Sequence, residues 1–181
     1  MESEEIAFRR LAEADLPLMH RWLSNDHVAE WYPIDDISSP PLELVRRHYL
    51  PMIGGDEPTH GFVISLNGNP AGFIQAYMID DHPDYSRAVQ AGPGAAGVDL
   101  FIGEKDSVHR GLGPRILDSF LKQVVFGHLR ATACIIGPQP GNRAAIRAYE
   151  KAGFKHLKTV YVPTSPGDGQ EYLMVMEKPN E

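Results

Sequence analysis

Three stretches of the chain hold residues whose types and spacing can do chemistry. Asp99 interrupts the apolar run V-D-L-F-I at 98–102. An unpaired carboxylate is costly in such surroundings, so Asp99 either caps a loop, pairs with an arginine, or is there to meet a cation. The run V-H-R-G-L-G-P-R at 108–115 puts Arg110, Gly111 and Gly113 ahead of an amphipathic stretch. Glycines there let a ligand approach the backbone, and the free N–H groups of a helix start suit a phosphate, although the same glycines also serve a tight turn. No Gly-Lys-Ser/Thr follows, and the third glycine of a dinucleotide fingerprint is missing, so neither nucleotide-binding loop fits. In N-R-A-A-I-R-A-Y at 142–149, Asn142 is of a type that caps a helix. Asn142, Ala145, Ile146 and Tyr149 then share one face. Tyr149 either aims its phenol at whatever the cap end binds or is a core tyrosine with its hydroxyl satisfied elsewhere.

Other chemistries lack their residues. There is no G-x-S-x-G and no helix-spaced pair of histidines, so a hydrolase or a metal site has no support. Cys134 is the single cysteine; it reads as a small buried strand residue and cannot form an internal disulfide. With 24 acidic against 17 basic residues the formal charge is −7, which argues against a nucleic-acid partner. Such charge either favours a cationic small molecule or only keeps the protein soluble. No apolar run reaches the roughly 20 residues that span a bilayer, and the start M-E-S-E-E is acidic where a secretory signal is basic. The expectation is a cytoplasmic protein with no membrane partner.

The elements that must position these residues follow from periodicity. Leu16, Met19, Trp22 and Leu23 suit one helix face. Leu42, Val45, Tyr49 and Leu50 suit another, ended by Pro51 and then Gly54 and Gly55. After Gly113 a long stripe of Ile116, Leu117, Phe120, Leu121, Val124 and Val125 predicts the main helix, and a last helix over 142–151 closes at Gly153. Strands are predicted at 6–10, 62–66, 71–79, 98–102, 132–136, 154–162 and 171–177. The second and third of these join through Asn67-Gly68-Asn69, a tight-turn signal. Residues 24–41 and 163–169 read as loops, and 80–96 as a long connection, either a binding loop or disordered. The order describes one mixed α/β (α+β) domain over 1–181.

The pair V-H-R-G-L-G-P-R and, about 30 residues on, N-R-A-A-I-R-A-Y-E-K-A-G-F resembles the acetyl-CoA-binding core of the GNAT acetyltransferases. The resemblance implies a single-domain GNAT fold, a central, mixed, mostly antiparallel sheet flanked by helices. It implies acetyl-CoA as co-substrate, with its pyrophosphate on His109, Arg110, Gly111, Leu112, Gly113, Pro114 and Arg115. Phe101 and Ile102 would offer backbone to the pantetheine, and Asn142, with Ala145 beside it, would touch that arm. Val108 departs from the family, which often has Gln or Arg there. Within the superfamily the chain looks most like aminoglycoside 6'-N-acetyltransferases and related siderophore-type acyltransferases, through H-V-A-E-W-Y at 27–32, L-N-G-N-P-A-G-F-I-Q-A-Y at 66–77 and G-V-D-L-F-I at 97–102. The aminoglycoside group carries an acidic residue where Gly137 stands.

Acetylating an amine needs the unprotonated nitrogen, whereas a free alkyl ammonium has a pKa near 10. Asp99 is the candidate to hold the cation and accept its proton, and a backbone N–H of its strand is the candidate oxyanion donor. A partly exposed Tyr149 phenol would protonate the departing thiolate. Trp31, Tyr32, Asp35 and Asp36 of the first loop, with Gln75 and Tyr77 on one strand face, are expected to bind the substrate. The expected partner is a cationic amine small molecule and the expected assembly a monomer or homodimer. Lysine-like, polyamine or siderophore amines are alternative acceptors, and a non-catalytic acyl-CoA-binding module is the alternative of another class.

Overall fold

The computed structural model describes residues 3–180. Seven strands form one sheet in the order β1-β2-β3-β4-β5-β7-β6. The pairings β1–β2, β5–β7 and β6–β7 are antiparallel and β4–β5 is parallel, so the mixed, mostly antiparallel sheet with flanking helices is as expected. The chain forms two compact units, residues 3–75 with Leu100–Arg110, and Ala76–Asp99 with Gly111 onward.

In the first unit, β1 (Ile6–Arg10) pairs with β2 (His60–Leu66), and β3 (Asn69–Met78) follows across Asn67 and Gly68. Both turn residues have positive φ, +50° and +81°, the geometry of the tight hairpin that Asn-Gly favours. Helix α1 (Leu16–Leu23) buries Leu16, Met19, Trp22 and Leu23 completely. A four-residue helix α2 (Asp26–Ala29) lies inside the segment expected to be loop. Helix α3 (Leu42–Gly54) runs on through Pro51, where the sequence suggested a stop. Proline removes a single backbone donor near the helix end, while Tyr49 and Met52 keep the last turn on the core; Gly55, at φ +84°, ends it. A bidentate pair ties the unit's entry together, with Arg9 Nη1 and Nη2 each 2.7 Å from an Asp15 carboxylate oxygen. The Ala12 N–H also donates to that carboxylate at 2.9 Å.

The second unit takes the rest of β3, then α4 (Pro83–Val89), β4 (Ala95–Ile102) as far as Asp99, α5 (Leu112–Phe120), β5 (Ala133–Ile136), α6 (Arg143–Ala152), β6 (Lys155–Tyr161) and β7 (Gln170–Glu177). Helix α4 overturns the reading of 80–96 as a structureless connection. Pro83 sits at the helix start, where its fixed φ is already helical, and Gln90 at φ +50° closes it. Tyr85 and Val89, one turn apart, pack on Ile79, Ala95, Ala133, Ile135 and Leu173. The main helix begins as expected but turns π-helical over Leu121–His128. Gly127 permits this, because a Cβ there would stand 2.6 Å from the Lys122 carbonyl. The β4–β5 register holds three pairs, Ala95 with Ala133, Ala96 with Cys134 and Gly97 with Ile135. Asp99 follows two residues beyond the last of them. Cys134 is fully buried, and burial followed by the Asp99 charge pushes its thiol pKa far up, as suits an inert strand residue.

Candidate active site

The glycine loop takes its shape from two left-handed residues. His109 has φ +62° and Gly111 φ +70°, and α5 starts at Leu112, which is buried and anchors the turn. Alternation of this kind turns successive N–H groups toward one side, an arrangement that cradles anions. A Cβ on Gly111 would meet no atom within 4 Å, whereas one on Gly113 would touch Ala148 at 3.6 Å. The space before Gly111 is open, as backbone approach by a ligand requires. His109, Arg110, Gly111 and Arg115 are exposed, and Gly113 and Pro114 are half-buried. Arg110 is also held in the first unit by Glu4, its Nη2 2.7 Å from the carboxylate.

Helix α6 is built as its spacing predicts. The Asn142 side-chain oxygen accepts the Ala145 N–H at 3.2 Å, and Gly153 at φ +105° ends the helix. Ala145 and Ile146 are half-buried and Tyr149 is 6% exposed, its ring centroid 6.4 Å from that of Phe154. Tyr149 as a whole residue is thus more buried than its expected partial exposure.

In the first unit the end of β4 is gripped by side chains. Tyr32 donates its hydroxyl to the Leu100 carbonyl, and its ring lies 5.3 Å from Phe101. His27 Nε2 lies 2.8 Å from the Ile102 carbonyl and so must carry the donated hydrogen. Asn25 Nδ2 donates to the Gly103 carbonyl at 3.0 Å, and Trp22 Nε1 to Glu104 at 2.8 Å. Phe101 is buried in the core formed by Trp22, Tyr49 and Phe73. Trp31 and Gln75 are half-buried. Asp35 and Asp36, both exposed, form the positive-φ turn between the bridged residues Ile34 and Ile37. That conformation is one Asp tolerates well, which gives these two residues a turn role of their own.

The second unit gathers a polar group that sequence reasoning found only in part. Tyr77, on β3, packs against Gly97, where a Cβ would stand 2.4–2.6 Å from the Tyr77 Cζ, Cε2 and hydroxyl oxygen. Tyr77 donates to the Tyr85 hydroxyl, and Tyr85 donates to Glu171 Oε2 at 2.9 Å. Ser165 donates to Glu171 Oε1 at 2.5 Å. Burial, then the Asp99 charge, lifts the Tyr77 phenol well above its usual pKa; burial, then the Glu171 charge, does the same for Tyr85. Burial also raises the Glu171 carboxyl, with Asp99 adding to the rise and the Ser165 and Tyr85 hydroxyls opposing it. The His82 ring sits 4.9 Å from that of Tyr77. Asp99 and Tyr77 are thus brought together as electrostatic neighbours, and Tyr85, Ser165 and Glu171 join them unforeseen. The one signal for Glu171 was Gly137, whose Cβ would stand 2.6 Å from Glu171 Oε2.

A family model, the acetyltransferase (GNAT) domain, matches residues 12–162. This chain belongs to the GNAT acetyltransferase family. Among curated GNAT relatives, the aminoglycoside N(6')-acetyltransferase type 1 of Klebsiella pneumoniae is 30% identical over 164 residues, 91% of this chain and 81% of that protein. A kanamycin resistance protein of Rhizobium radiobacter is 35% identical over 74 residues, 41% of this chain and 68% of that one. Among solved structures, AAC(6')-Ib in complex with ribostamycin and coenzyme A superposes with a TM-score of 0.84 at 30% identity, covering 96% of this chain and 94% of that one. The spermidine N-acetyltransferase of Vibrio cholerae, at 16% identity and a TM-score of 0.73 over 95% of each chain, shares the GNAT fold.

Proposed function

We propose that this GNAT acetyltransferase moves the acetyl group of acetyl-CoA to a primary amine of an aminoglycoside, and so confers resistance to such drugs. The observation that carries the reading is Asp99, set on β4 just past its last pair with β5 and beside the tyrosine-lined carboxylate of Glu171. Its support is the likeness over nearly the whole chain to enzymes whose names and bound ligands are aminoglycosides and coenzyme A. In this reading Asp99 holds the ammonium group, orients it and takes its proton, directly or through water. The backbone N–H groups at His109, Arg110, Gly111, Leu112 and Gly113, with the Arg115 side chain and the fixed φ of Pro114, hold the pyrophosphate. Asn142 and Ala145 border the pantetheine arm, and the backbone of Phe101 and Ile102 runs alongside it. A β4 N–H steadies the oxyanion that develops on the thioester carbonyl. Tyr149 returns a proton to the leaving thiolate, and no enzyme nucleophile is required. Trp31, Tyr32, Asp35, Asp36, Gln75 and Tyr77 are the substrate-binding residues of the reading. A cytoplasmic location belongs to it too, since acetyl-CoA is drawn from that compartment; no described helix is long and apolar enough to cross a membrane.

The test is thiol release from acetyl-CoA with kanamycin, ribostamycin, spermidine and lysine as acceptors, the acetylated nitrogen being located by NMR. Asp99→Asn should lower kcat/KM for the amine by about 10²–10⁴ with acetyl-CoA affinity unchanged. Turnover confined to spermidine or lysine would overturn the aminoglycoside reading, and loss of acetyl-CoA binding in Asp99→Asn would mark that residue as structural.

A further inference from the structure

Glu171 is a half-buried carboxylate with no basic partner among the described ion pairs. Its hydrogen-bond donors among the described residues are two neutral hydroxyls, Tyr85 on Oε2 and Ser165 on Oε1. The Asp99 charge acts on it, and that charge is of the same sign. A carboxylate partly withdrawn from water is best offset by an arginine or lysine, because two hydroxyls recover only part of the lost hydration. The space it occupies has been cleared for it. The residue at 137 is a glycine, and any larger side chain there would meet Oε2 at 2.6 Å and Leu173 at 3.1 Å. Tyr77 donates a hydrogen bond to the Tyr85 hydroxyl, and Tyr85 donates one to Glu171, so the phenols orient the carboxylate without neutralising it. The two hydroxyls bring Glu171 no positive charge, and a substrate with more than one ammonium group would.

We propose that Glu171 is a specificity-determining residue: its carboxylate, seated in the space left by Gly137, pairs with a second ammonium of the substrate whose reacting amine is served by Asp99. The site therefore selects compounds with two or more amines over those with one. This rests on the acetyl-transfer reading above and names the feature of the acceptor that the site measures. In this arrangement the reacting nitrogen is left to Asp99, so the contribution of Glu171 is to binding and not to the chemical step.

The test compares wild type, Glu171→Gln and the relocated pair Glu171→Ala/Gly137→Asp, in which the shortened residue 171 leaves room for the new side chain, with kanamycin and with a sugar bearing a single 6-amino group. Glu171→Gln should raise KM for kanamycin about ten- to a hundredfold, as expected for a lost charge-assisted contact, with kcat within about threefold. KM for acetyl-CoA and for the single-amine sugar should not move. Returning a carboxylate from position 137 should recover most of the kanamycin affinity, which a purely structural role for Glu171 would not allow. An equal rise in KM for both acceptors, no rise for either, or failure of the relocated carboxylate to restore binding would each overturn the proposal. Calorimetric binding of kanamycin to the same three proteins reads the contact without turnover. Wild type that binds kanamycin through Glu171 yet transfers no acetyl group would sink the acetyl-transfer reading and leave the contact standing.

Discussion

Tyr149 shows how a residue's type can be read while its surroundings are not. The i, i+7 spacing from Asn142 places it on the inner face of α6, but the depth of its burial depends on what packs over that face. At 6% exposure the residue is largely shielded from water, which strengthens its hydrogen bonds and gives it a packing role. Tyr149→Phe should leave acetyl-CoA affinity nearly unchanged and lower kcat by about 10²–10⁴, the range for loss of a general acid. Because thiolates leave fairly well unaided, the lower end is expected. Single-turnover rates decide: an unchanged chemical step with a lowered melting temperature would make Tyr149 a packing residue alone. Glu171 is the opposite case. Its partner Tyr85 is 86 positions away in sequence, and no local spacing announces the meeting.

At the scale of elements, legibility followed the strength of the local pattern. Helix α1 shows four buried residues in eight and α6 shows a cap, a stripe and a closing glycine, so both stand where periodicity puts them. The β2–β3 turn was legible because Asn67 and Gly68 are among the few residues content with positive φ. Helix α4 was not, since a seven-residue helix has room for only two inward residues and its Asp, Pro and Gly surroundings read as loop. The π-helical stretch was missed for another reason: a stripe such as Leu121, Val124 and Val125 fits either winding, and only the backbone reveals the wider turn. The Arg9–Asp15 pair makes an element-level prediction. The hydrogen bond from Arg9 holds the Asp15 carboxyl below its usual pKa, despite its burial. A depressed carboxylate stabilises the fold above its unfolded pKa, and that contribution is lost as pH falls through the folded value. Asp15→Asn should therefore melt below wild type at neutral pH, by about 1 kcal/mol since Arg9 is half exposed, and the gap should narrow below about pH 4 and close as pH falls through the depressed folded value. A gap that persists in acid would assign the loss to packing.

Taken over the whole molecule, charge bears on both substrates at once. The formal charge of −7 attracts a polycationic acceptor and repels the anionic acetyl-CoA. Added salt screens both effects, so kcat/KM for kanamycin should fall and kcat/KM for acetyl-CoA should rise as sodium chloride is increased from about 0.01 to 0.15 M, where the Debye length shrinks from roughly 30 to 8 Å. Slopes of the same sign would mean that local contacts, not the overall field, govern encounter. The family and the mixed sheet were legible at this scale from two motifs and the element order. The division of the chain into two compact units was not, because β3 and β4 each contribute to both and no composition shift marks the boundary.

The vacancy at Gly137 carries a consequence for heredity. Every glycine codon lies one base away from an alanine codon, so a lone point mutation can place a methyl group where the Glu171 carboxylate now rests. Gly137→Ala should leave the fold intact, since the atom it meets first is the end of a movable side chain, yet push Glu171 off Tyr85. Growth of a bacterium carrying the altered gene on graded doses of several aminoglycosides would show the result. The expected phenotype is a reordered list of tolerated drugs, with protein abundance unchanged.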